Sequence, residues 1–209
     1  DGSNKASTAM ELVKSWGFIE GFIKKNNIAP EVYAANGWDM KNNELYFDSD
    51  MYDNISSTWT KDFDPENHNS SYPSSWQLYE KFKHYFTISE SKDNGFITIS
   101  VEYYSPEIAS EWVSKIVAEI NNFIRKKDEK DALISIEYLN GQIHQTTTAS
   151  MKNIFYQLIE EQTKTLMLAK VTDEYVFKTL SIAKIPEVKS KPRRVVICIF
   201  GTLLGGFLG

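Results

Sequence analysis

The residues of this chain best suited to chemistry are three histidines, two adjacent glutamates, one acidic loop and a single cysteine. By sequence pattern His68, His84 and His144 fall in a loop, at a helix end and within a long helix. Isolated histidines so placed are surface or hydrogen-bonded structural residues more often than general bases. Glu160 and Glu161 offer paired carboxylates, but consecutive helix positions point about 100° apart, so the two do not converge on one substrate. Asp62, Asp64 and Glu66 carry oxygen ligands suited to calcium, yet the segment lacks the glycine and terminal glutamate of a calcium loop. Cys198 lies inside an apolar run and, as the only cysteine, excludes an intrachain disulfide or a cysteine-rich metal site. Neither phosphate-binding glycine pattern occurs, nor does His-Glu-x-x-His or Gly-x-Ser-x-Gly. The expectation is a protein that is not an enzyme, with no catalytic residues, no cofactor and no metal.

The composition narrows the class further. With 209 residues, 42% hydrophobic and 13% aromatic, the chain can bury a sizeable core and is not expected to be disordered. A net charge of -5 argues against a nucleic-acid partner, which calls for a basic stripe. Asn54-Ile55-Ser56 and Asn69-Ser70-Ser71 match the glycosylation triplet but read as loop residues.

Stepping along the elements, a first helix is expected from Ala6 to Asn26, with Met10, Val13, Phe18 and Phe22 on one face. Pro30 interrupts it, and Glu31 to Trp38 reads as a short helix. Lys41 to Pro73 is rich in Asn, Asp, Ser and Tyr and predicts loops pinned by Tyr46, Phe47, Tyr52, Trp59 and Phe63. A helix over Ser74–Tyr85 precedes two alternating runs around Asn94-Gly95, a hairpin signal, with Ile97, Ile99, Val101 and Tyr103 on one side of the second strand. Ser105-Pro106-Glu107 is a helix start, and from Pro106 to about Gln145 no proline intervenes. Such a helix would reach about 60 Å, longer than a compact domain of this size needs. Its charged patch, Arg125 to Asp131, reads as a solvated face or a kink. After a turn at Thr146–Thr148 a second helix, Ala149–Val171, should pack back on the first. Candidate packing positions are Ile136, Leu139, Ile143, Met151, Phe155, Leu158 and Leu166, with sister molecules covering what one copy leaves bare. Glu174–Leu180 reads as a closing strand.

Val195 to Gly209 is uncharged and apolar, and predicts the start of a transmembrane helix. Gly201, Gly205 and Gly209 supply a small-residue face for close helix approach. Lys191, Pro192, Arg193 and Arg194, with Pro186 upstream, form a basic approach to the bilayer, which the positive-inside tendency alone would place in the cytoplasm. The opening Asp1-Gly2-Ser3-Asn4 carries no signal peptide or first span, and an upstream anchor is expected.

Read together, the runs Tyr138-Leu139, Phe155 to Ala169, Glu174 to Thr179, Ile185-Pro186-Glu187, Lys191 to Arg194 and Gly201 to Gly206 resemble the Wzz family of polysaccharide chain-length determinants. Ser105-Pro106-Glu107-Ile108-Ala109, with Trp112 and Asn121, is similar to the segment that opens the long helix there. The resemblance covers roughly residues 74 to 209 and implies an α+β fold. Its membrane-proximal α/β base, with a small antiparallel-containing sheet, spans residues 1–104 and 172–190. A long helical hairpin arm takes 105–171, and the C-terminal transmembrane helix begins at 191–209. It also implies location at the bacterial inner membrane with this domain in the periplasm, which sets the basic approach on the periplasmic side. Ring-like homo-oligomers, the O-antigen polymerase as partner and a non-catalytic role in setting lipopolysaccharide O-antigen length follow from the same resemblance, as does contact with the growing polysaccharide. The alternative is a periplasmic glycan-binding module of a capsule or exopolysaccharide export complex, in which exposed Trp and Tyr stack on sugars.

Overall fold

The computed structural model describes residues 2–63 and 71–185. The first helical stretch is two helices, α1 (Gly2–Lys14) and α2 (Trp16–Asn26), where the sequence predicted one. The break is Ser15, extended at φ -69° and ψ 147°. Its hydroxyl donates to the Leu12 carbonyl at 2.6 Å and accepts the Phe18 N–H at 3.3 Å, ending one helix and capping the next. Asn27 ends α2 in the left-handed conformation, at φ 52°.

The short helix expected over Glu31–Trp38 is instead α3 (Ala29–Tyr33) followed by a strand, β1 (Ala35–Asp39). Pro30 sits in the first turn of α3, where its missing N–H costs nothing, while Asn36 and Gly37 are poor helix formers. Gly37 has a positional reason too: a Cβ there would lie 3.3 Å from the ring of Tyr46 on the neighbouring strand β2 (Glu44–Phe47). The Asn-rich stretch expected to be loops thus carries β2 and a second small hairpin, β3 (Tyr52–Asp53) with β4 (Thr58–Trp59). Trp59 holds it, lying edge-on to Tyr33, Tyr52, Phe63 and Tyr72 at 5.1 to 6.3 Å.

Helix α4 (Ser75–Lys83) begins with a capping box between Ser74 and Gln77. The hairpin β5 (Phe86–Glu90) and β6 (Ile97–Val101) follows in the register Phe86 opposite Val101 and Glu90 opposite Ile97. Gly95 turns it at φ 69°. The described strands form three separate two-stranded antiparallel sheets. The fold is therefore mixed α and β, with helix predominating.

Helix α5 (Pro106–Gln145) runs unbroken for 40 residues, and α6 (Ala149–Val171) packs back on it. Ser105 caps α5 through the Ile108 N–H, with Pro106 in the first turn. The first half of α5 belongs to the main core. Trp112, Ile116, Ile120 and Ile124 lie buried among Val13, Phe22, Ile23, Val32, Phe82 and Phe86. The Trp112 ring sits 4.6 Å from Tyr103 and 5.6 Å from Phe82.

The strand expected at Glu174–Leu180 does not form, because a side chain replaces the sheet partner. Asn121, buried on α5, accepts the Val176 and Phe177 N–H groups at 2.8 Å each and donates to the Phe177 carbonyl at 3.0 Å. One amide thus satisfies three backbone groups and seats Phe177 in the core. The charged patch lies within the continuous helix and is largely solvent-exposed, as expected, but two of its residues have partners beyond the helix. Arg125 reaches Asp173, and Asp128 binds Lys5 of α1 at 2.7 Å and the Tyr175 hydroxyl at 2.9 Å. The Lys5 ammonium also lies over the Tyr175 ring, 5.0 Å from its centre. Burial alone would lower the Lys5 pKa, but the hydrogen bonds that its ammonium donates to Asp128 and Tyr175, with the Asp128 charge, outweigh that and raise it.

One buried carboxyl stands out. Glu31 Oε2 has no hydrogen-bond partner among the described residues, and burial pushes its pKa up. Beside it the Tyr103 hydroxyl donates to the Glu31 carbonyl at 2.6 Å, and burial drives the phenol far upward as well.

Two outcomes are expected. Asn121→Ala leaves three backbone groups unpaired in the core, so it should destabilise the fold by about 2–4 kcal/mol, read as a fall in the thermal unfolding midpoint. Folded Glu31 holds its proton more tightly than the unfolded chain does. Its contribution to stability is therefore full below the ordinary glutamate range and is lost as pH rises through the raised pKa. Glu31→Gln should accordingly unfold at higher temperature than the parent at about pH 7, and that advantage should vanish near pH 3.

Candidate functional site

The second half of α5 and the whole of α6 stand apart from the main core and carry most of the positions singled out for packing. On α5, Ala132, Ile136, Leu139 and Ile143 recur at steps of four, three and four. On α6, Phe155, Ile159, Gln162, Leu166 and Ala169 do the same. All of these positions are buried or half-buried, so the 3.5-residue repeat forms a seam between the two helices. Ile136, Leu139, Ile143, Phe155 and Leu166 all lie in this internal seam.

Met151 and Leu158 lie elsewhere. They are 42% and 39% exposed, and with Ile154 and Leu168, 47% and 57% exposed, they form a second stripe along α6. Its steps, 151, 154, 158 and then 168, keep heptad spacing, with Glu161 and Thr165 filling the intervening turns. The stripe is rotated from the seam by about a third of a turn, so α6 carries two apolar flanks where one partner helix covers only one. On α5, Leu133, Ile134 and Tyr138 are likewise exposed. Single exposed apolar residues need no explanation, but a stripe of them along a helix does. Sequence reasoning found Met151 and Leu158 but missed Ile154, Leu168, Ile134 and Tyr138. The signal was present, since two interleaved heptads on one helix show as apolar residues at adjacent positions, Ile154-Phe155 and Leu158-Ile159.

The polar groups with chemical potential stay apart. His84 terminates α4 and His144 lies in the last turn of α5, both exposed. Glu160 pairs with Lys164 at 2.8 Å across one turn of α6, which lowers its pKa, and Glu161 takes a place in the exposed stripe. Between α5 and residues 173–183 lies a groove of about 600 Å³, with Val113 and Val117 on its floor and Arg125, Asp173, Lys178 and Ser181 at its rim. Arg125 and Asp173 face each other at 3.3 Å. Among the described residues no group of three or more His, Cys, Asp or Glu is placed to hold a metal. No helix among them is long and apolar enough to cross a membrane. Asp64, Glu66, His68, Pro186, Lys191, Pro192, Arg193, Arg194, Gly201, Gly205 and Gly209 lie outside the described residues.

No family model matches the chain, and no curated protein does either.

The seam and the stripe predict opposite responses to the same substitution. Ile143→Asp places a carboxylate in the seam and should cost more than about 3 kcal/mol, with loss of helical circular dichroism on mild heating. Leu158→Asp puts the charge where water already reaches, so the fold should keep its midpoint within about 1 kcal/mol.

Proposed function

We propose that this chain is the periplasmic domain of a Wzz-like polysaccharide chain-length determinant, a non-catalytic scaffold at the bacterial inner membrane. In this reading the core around Trp112 forms the membrane-proximal base. The α5–α6 pair forms an extended hairpin arm, and arms of neighbouring copies stand side by side in a ring. The observation that carries the proposal is the uncovered stripe Met151, Ile154, Leu158 and Leu168 on a helix whose neighbouring flank is already satisfied by α5. The ordered resemblance from Ser105 to Gly206 supports the same assignment. A scaffold of this kind acts by geometry. It holds the O-antigen polymerase and the growing polysaccharide near one another, and the ring's dimensions limit how many repeat units are added. Such work needs no nucleophile or general base, only a rigid frame and a surface for its own kind. Assembly on a bilayer also suits a modest interface, because anchoring raises the effective concentration of each copy for its neighbours.

The test is Leu158→Asp combined with Ile154→Asp in the full-length, membrane-embedded protein. The doubly substituted protein should lose mass in nanodiscs while its domain stays folded. Lipopolysaccharide from cells carrying it should shift on a gel from a clustered ladder to an unregulated spread. A ladder unchanged by a variant that no longer assembles would refute the scaffold role.

A further inference from the structure

A second surface, on the side of the fold formed by α2 and α4, has a different character. Trp16, the first residue of α2, and Trp76, in the first turn of α4, are 45% and 50% exposed, unusual for the largest apolar side chain. Their rings meet edge to face at 5.2 Å, and Tyr79 closes the triangle at 5.3 Å from Trp76 and 6.4 Å from Trp16. The rings are locked rather than merely collapsed together. The Trp16 indole N–H donates to Ser75 Oγ at 2.7 Å, and the Tyr79 hydroxyl donates to the Lys14 carbonyl at 3.3 Å. Both tryptophans project from capped helix starts, held by Ser15 and by the Ser74–Gln77 capping box. The patch is a preorganised aromatic corner, with the polar groups of Trp16 and Tyr79 engaged and about half of each indole left in water.

The rim decides what such a corner suits. Lys14 pairs with Glu11 at 2.9 Å, and Lys83 pairs with Glu80 at 3.0 Å while lying over the Tyr79 ring at 4.8 Å. The local charge is thus cancelled within the patch. Acidic lipid headgroups or an acidic protein would call for uncompensated cations here, and none of these lysines is uncompensated. A neutral pyranose suits the corner on both counts. The C–H face of the ring stacks on an indole, and its vicinal hydroxyls bridge the carboxylate and ammonium of an ion pair. We infer that Trp16, Trp76 and Tyr79 form a stacking platform for neutral hexopyranose units of a polysaccharide. The inference is independent of the α6 stripe, since a platform of this kind works on a single copy or on each copy of an assembly.

The experiment is acrylamide quenching of tryptophan fluorescence in the full chain, with and without soluble dextran, mannan and xyloglucan. Trp16 and Trp76 are the exposed tryptophans, so they dominate the quenching. At least one neutral polymer should shield them, and Trp76→Ser should abolish that shielding while circular dichroism stays unchanged. Trp38→Phe, outside the patch, should leave the shielding intact and guards against a general solvent effect. No shielding by any of the three polymers overturns the inference. Shielding by phosphatidylglycerol vesicles instead of glycan overturns it in favour of lipid, and a change of molecular mass on Trp76→Ser overturns it in favour of a second copy. Loss of the scaffold reading, with Leu158→Asp leaving mass unaltered, would not touch any of these outcomes.

Discussion

One helix has to serve two cores, and that constraint organises the molecule. The first half of α5 is the central column of the main core, with Trp112, Ile116, Ile120 and Ile124 turned toward the packed faces of α1, α2 and α4. The second half packs chiefly against α6. A 40-residue helix extends about 60 Å, and helical propensity alone does not hold such a length in water without tertiary cover. The chain meets this requirement by tying its end back to the middle of α5. Asn121 holds the backbone at Val176 and Phe177, so α6 is fixed at its far end to the same helix it packs against.

The charged patch shows how little of this depends on ion pairs as such. Lys127–Asp131, Lys115–Glu111 and Lys164–Glu160 are exposed one-turn pairs, screened by water and of little consequence for stability. Asp128 differs because it is partly shielded and has two partners from distant parts of the chain, Lys5 and Tyr175. Its role is to set position: α1, α5 and the segment after α6 meet at one carboxylate. The net binding energy of that meeting is secondary to the fact that it joins residues 5, 128 and 175.

Much of this architecture was legible from sequence because it is periodic or punctuated. Asn94-Gly95 announced the β5–β6 hairpin, Ser105-Pro106 announced α5, and the absence of proline to Gln145 gave its length. What was misread depended on single polar side chains acting at a distance or against propensity. Ser15 splits an apolar helical pattern because its hydroxyl caps both sides of a break, which periodicity does not reveal. Residues 174–180 carry the aromatic and β-branched side chains of a strand, Tyr175, Val176, Phe177 and Thr179, but the hydrogen-bond partner they find is one amide rather than a neighbouring strand. Arg125 to Asp131 is largely the solvated face it reads as, with Lys126, Lys127, Lys130 and Asp131 exposed, but only the fold brings Lys5 and Tyr175 to Asp128. Trp59 was read as a loop anchor, and the packing of four aromatic rings around it bears that out.

The two flanks of α6 then separate folding from assembly on one helix. The seam residues Phe155, Ile159, Leu166 and Ala169 lie against α5, so they are satisfied as soon as the hairpin closes. The stripe residues keep their apolar surface in water after closing, at a cost of about 25 cal/mol for each Å² that a partner would bury. That surface contributes nothing to the stability of one copy, so the fold alone gives no reason for four apolar residues at heptad spacing along it. A partner presenting a like stripe supplies one, since the 3.5-residue repeat lets side chains from two helices interleave over several turns. Because the stripe and the seam are rotated about a third of a turn from each other, the neighbour proposed above would dock beside the α5–α6 pair without opening it. In the proposed array each copy would keep its own α5–α6 packing, as a repeating side-by-side arrangement requires.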